Sequence, residues 1–227
     1  YTFYPWLIWA LEQSGFSKFD ESFIDAFRKA DGLFTLIAHQ HAAVSGDSHE
    51  KHAGATVGSA NLSSHINKIR NGDEIKLSDF AHRDSAKQPY FKNKLGGLGQ
   101  YYLGVLAELS ILDGTTTSGI RYTRQVGMPL VIAIETGVPR ELFVKTIKED
   151  KVNAERLNEL SAFCPCRLTE SKKEQELLIK LFFAHDEFDD VESIPRRRTL
   201  QMLLDLADNF AKHKLPLDSK NFRGSVY

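Results

Sequence analysis

Residues 93–135 read NKLGGLGQYYLGVLAELSILDGTTTSGIRYTRQVGMPLVIAIE. Glycines 96, 97 and 99 open the stretch. Leu98, Tyr101, Tyr102, Val105, Leu106, Leu109 and Leu112 then recur at spacings of 3, 1, 3, 1, 3 and 3, the stripe of a helix with one apolar face. Gly104 interrupts that stripe at a cost of about 1 kcal/mol relative to alanine. It reads as a point where another element comes close. Asp113-Gly114 ends the helix, and residues 120–123 read as a short strand. Beyond them two readings stay open. Gln125-Val126-Gly127 suits a turn into a strand over 130–134, which is rich in β-branched residues. Pro129 suits the first turn of a helix running to Thr136.

Upstream, residues 4–14 read as a docking helix with Pro5 in its first turn and Trp6 and Trp9 on one face, no cation beside them. A helix over 20–31 is expected to be capped by Asp20 and ended by Gly32, with another following over 33–44. Residues 45–60 are small and polar and read as a long loop. A fourth helix over 60–70 and a short strand at 75–77 come next. Downstream of Val138 the pattern is purely helical. Helices are expected over 139–150, 153–163, from Ser171 through a capping-box pattern, and from Ser193 with Leu200, Leu203, Leu204, Ala207, Phe210 and Ala211 on one face. Residues after Pro216 read as a tail. The expected fold class is mainly α with a small β element. The expected division is a helical domain over 1–137 and a helical C-terminal domain over 138–227.

The order of helix, helix, glycine-entered helix, turn, strand and then Tyr122-Thr123 with Gly127 resembles winged helix-turn-helix domains in general, over about residues 60–136. The resemblance implies a helical protein containing a winged-helix-like unit, a helix entering the major groove and a wing touching phosphates. Its contact residues would be Lys87, Lys92, Lys94, Gln100, Arg121 and Arg124. Residues 83–124 hold six cations against three acids, a modest local excess. The helix itself has no Lys or Arg between Leu95 and Leu112, so only Gln100 could read a base edge. Such a helix could instead be buried on both sides. Arg196, Arg197 and Arg198 form a second basic patch, just after five acids within 186–192. Three cations at a helix start oppose its dipole, which points to something acidic facing them.

The 227 residues carry 29 Lys+Arg against 30 Asp+Glu, so no whole-molecule field steers the chain to nucleic acid or an anionic membrane. No apolar run approaches the roughly 20 residues of a membrane-spanning helix. Two cysteines exclude a disulfide framework and suggest a reducing cytoplasm. His39, His41, His49, His52 and His65 are the candidate metal ligands, although their spacing follows no metal-site pattern and HExxH is absent. Cys164-Pro165-Cys166 is too tight for an unstrained disulfide, and as a zinc knuckle it would need distant histidines. The reading is therefore of no metal or other cofactor and no catalytic residue. The expected function is a non-enzymatic DNA-binding or regulatory module, part of a larger bacterial system, with double-stranded DNA as partner. The alternatives are a helical scaffold that binds a protein or its own copy, and a metal-dependent hydrolase using the 39–65 segment.

Overall fold

The computed structural model describes residues 1–17, 20–54, 56–82, 90–114, 119–185, 188 and 193–226, the side chains of His49, Glu50 and Val226 excepted. The chain is mainly helical, with two small antiparallel ladders. Helices α1 (Phe3–Gln13), α2 (Glu21–Ser45), α3 (His49–His52) and α4 (Ser63–Arg70) come first, then β1 (Ile75–Lys76) and α5 (Ser78–Ala81). The focal stretch forms a π-helical turn (Leu98–Tyr102) running into α6 (Leu103–Glu108), then β2 (Leu112–Asp113), β3 (Arg121–Tyr122) and α7 (Gly127–Glu135). After it come α8 (Arg140–Glu149), β4 (Lys151–Val152), α9 (Ala154–Glu159), 3-10 segments at Ser161–Phe163 and Pro165–Glu170, α10 (Lys172–Phe183), α11 (Ser193–Lys212) and α12 (Ser219–Val226).

Two compact units divide the chain at Gln175/Glu176. The change of sequence texture near 138 falls inside the first unit, where α8 packs on α1 and α2 and β4 pairs with β1. At the centre of this unit α1 buries Trp6, Leu7, Ile8, Ala10 and Leu11 completely. Trp6 lies 4.8 Å from the Phe163 ring and 5.5 Å from Phe143, and Phe3 stacks on Phe34 at 4.1 Å. The tryptophan-bearing helix is thus core.

Several expectations are corrected. Residues 21–45 form one helix, not two, because Gly32 lies within it rather than at its end: a Cβ there would sit 2.2 Å from the Phe80 ring. Glycine at that position lets α5 pack onto α2. Gly104 is the opposite case, with nothing within 4 Å of the place a Cβ would take. Among the described residues no element comes close there, and α6 is not buried on both sides: Gly104, Val105, Ala107 and Glu108 are exposed. Residues 127–135 are helix. Thr123 decides between the two readings: its hydroxyl accepts from the Gly127 amide at 2.9 Å and the Val126 amide at 3.3 Å, and its carbonyl accepts from Met128 at 2.8 Å. These bonds satisfy first-turn amides that a strand would have paired elsewhere. Residues 219–226, expected as tail, form α12.

The second unit contains α11, where Phe210 is buried but Leu203 and Leu204, expected inward, are 45% and 58% exposed. Arg196 donates to the Leu181 and Phe182 carbonyls at 3.0 and 3.2 Å, and Arg197 to Ala184 at 3.2 Å. Arg196 and Arg197 thus meet the negative end of α10 and bond the carbonyls at its close.

Candidate functional site

The last turn of α2 carries His41, one turn before the helix stops. Gly46 ends it with φ of 70°, the left-handed conformation in which glycine is unstrained. The chain doubles back, and α3 ends on His52. Far along the sequence Phe163 anchors a 3-10 turn in the aromatic core, and Pro165 opens the next one, which sets Cys164 and Cys166 side by side. These two limbs meet. The ligand atoms of His41, His52, Cys164 and Cys166 all lie within 4.8 Å of one another.

The contacts inside the cluster are short. His52 Nδ1 lies 3.2 Å from His41 Nδ1 and 3.4 Å from Cys164 Sγ, and Cys166 Sγ lies 3.3 Å from His41 Nδ1. The outer nitrogen of His52, Nε2, is held by Ser45 Oγ at 3.1 Å, with Asp47 Oδ2 at 3.8 Å. His52 and Cys164 are buried, and His41 and Cys166 are half-buried. Burial, reinforced by Arg167 and His52, lowers the pKa of His41. Burial also pushes the Cys164 thiol up to about 12. Both cysteines are free thiols. Two imidazoles and two thiols facing one point can share hydrogen bonds among themselves, or the thiols can give up their protons to a cation that binds all four.

Of the other histidines, His39 is buried in α2 outside the cluster, and His65 sits on α4 with its ring 5.3 Å from Phe80. His49 belongs to α3 by its backbone. The expected histidine segment thus supplies two members of the cluster. The other two come from Cys-Pro-Cys, and neither half has diagnostic spacing alone.

The expected nucleic-acid residues are partly engaged. Lys94 pairs with Glu21 at 3.0 Å, and Arg121 with Asp113 at 2.7 Å across the β2–β3 ladder. Gln100 donates to the Tyr101 hydroxyl at 3.2 Å. Lys92 and Arg124 are exposed and make no ion pair among the described residues. Lys87 lies outside the described residues, as do five acids within 186–192. Arg198 is exposed on α11.

A cavity of about 710 Å³ lies in the same unit, with Cys164 in its wall and Asp31 among its lining residues. The Asp31 carboxylate is fully enclosed, accepting from the Gly97 amide at 2.7 Å and the Tyr4 hydroxyl at 2.9 Å. Burial raises its pKa to about 6 against the pull of these bonds and of Arg28.

Comparison of the chain with protein-family models, with curated proteins and with solved structures returns no match.

Proposed function

We propose that this chain is a non-enzymatic helical module that docks a protein partner through the apolar face of α11. One observation carries the reading. Leu200, Leu204, Ala207 and Ala211 recur at spacings of 4, 3 and 4, the seam along which one helix packs on another. Leu204 of that seam and Leu203 beside it are 58% and 45% exposed. Apolar side chains grouped on one helix and left in water mark an interaction surface. No helix among the described residues is long and apolar enough to cross a membrane.

Sedimentation velocity and binding of a hydrophobic dye test this, using the intact protein and a Leu203→Glu/Leu204→Glu variant. The expected result is dye binding or concentration-dependent self-association that the variant abolishes. A wild-type protein that stays monomeric and binds no dye would overturn the reading. A second reading, contact with double-stranded DNA, is favoured by Lys92 and Arg124, which are exposed and make no ion pair among the described residues. Its expected signature is salt-sensitive gel retardation lost in Lys92→Glu/Arg124→Glu.

A further inference from the structure

We propose that His41, His52, Cys164 and Cys166 bind one zinc ion as a closed, structural Cys2His2 site. The geometry carries it. With zinc bonds of about 2.0–2.1 Å to nitrogen and about 2.3 Å to sulfur, tetrahedral edges are about 3.3 Å between nitrogens and about 3.6 Å between nitrogen and sulfur. One N–N pair at 3.2 Å and two N–S pairs at 3.3 and 3.4 Å lie close to these edges, and every other pair of ligand atoms lies within 4.8 Å. An ion needs the four side chains to adjust around it.

The donor set selects the ion. Two thiolates with two imidazoles in tetrahedral array suit zinc, whereas magnesium and calcium require oxygen ligands. Four protein ligands leave no position for a substrate or an activated water, which separates this site from a catalytic zinc centre. The surroundings also match a metal-bound histidine. Once Nδ1 of His52 is a ligand, its Nε2 carries the proton, and Ser45 Oγ at 3.1 Å is placed to accept that hydrogen bond, with the Asp47 carboxylate nearby at 3.8 Å. Binding releases the thiol protons to solvent, and no redox step is involved.

The ion joins two parts of the fold. His52 and Cys164 are 112 positions apart, one on the return after α2 and the other in the turn that follows Phe163. A bond through zinc ties the end of the longest helix to the aromatic core around Trp6.

The test uses the intact, tag-free protein, prepared in zinc-containing medium and then with cobalt in place of zinc. Elemental analysis is expected to find one zinc per chain. The cobalt form is expected to show visible bands of tetrahedral cobalt and thiolate-to-cobalt charge transfer. Cys166→Ser, at a half-buried position, removes one thiolate; zinc affinity falls at least tenfold and charge transfer weakens, whereas His65→Ala leaves both unchanged. Ser45→Ala/Asp47→Asn is expected to weaken zinc about tenfold with all four ligands retained. A folded wild-type protein that holds no zinc from zinc excess, and whose cobalt mixture lacks charge transfer, would overturn the proposal and leave a thiol–imidazole hydrogen-bond cluster. These readouts do not depend on the α11 face.

Discussion

Gly32 and Gly104 both sit inside helices, and their environments oppose each other. At Gly104 a methyl group meets open space, so Gly104→Ala is expected to raise stability by about 0.5–1 kcal/mol through helix propensity alone. At Gly32 the same change drives a methyl into Phe80, which is fully buried and has no room to retreat. Gly32→Ala is expected to destabilise by about 1–3 kcal/mol, the usual cost of overpacking. Urea titration of the two variants against wild type checks both signs. Asp31 is a third residue whose environment sets its chemistry. Its folded pKa of about 6 lies above the unfolded value of 3.8, so between those values the native state binds more protons than the unfolded state. Stability contributed here is full below about pH 4 and is lost as pH rises towards 6, by about 3 kcal/mol for a shift of about two units. Asp31→Asn keeps an acceptor for the Gly97 amide and removes the titration. Urea midpoints followed from pH 4 to pH 7 should fall for wild type relative to the variant.

Helix α7 is selected by contacts at its start rather than by its own residues. Its sequence, GMPLVIAIE, serves a strand or a helix equally well. Thr123 tips the balance, because one hydroxyl accepts two amides of the first turn while donating to the Ser110 carbonyl at 2.6 Å. Thr123→Val keeps the shape and removes all three bonds. A loss of about 1–2 kcal/mol is expected, as for other helix-cap deletions, and is read from the thermal midpoint. Arg28 plays a similar part between elements. Buried in α2, it donates to the carbonyls of Ala81, Phe91 and Asn93 at 2.5, 2.7 and 2.5 Å. That fork holds both ends of the segment that leads into the glycine-entered helix, a use for which lysine lacks the geometry.

At the scale of the molecule, zinc is expected to act on stability by mass action. Free ion at a thousandfold excess over its dissociation constant adds about 4 kcal/mol. Each kcal/mol moves the midpoint of a chain this size by about 2–4 °C. A strong chelator should therefore lower the thermal midpoint by on the order of 10 °C, and should have no effect on His52→Ala. Differential scanning calorimetry with and without chelator measures both.

Helical class, the absence of a long apolar run and most helix ends were legible in the sequence, because periodicity, caps and glycine stops act over a few neighbouring residues. The resemblance to winged helix-turn-helix domains rested on the same local order, and nothing in the packing of α6 tests it. The continuity of α2 was hidden because Gly32 resembles a helix stop until Phe80 is placed against it. The Cys2His2 cluster was legible only as two weak halves, a histidine-bearing segment and Cys-Pro-Cys. Each half lacks metal-site spacing, and no local rule joins positions 112 apart. The burial of the aromatic core around Trp6 brings those halves together. Long-range packing, not local pattern, made the site.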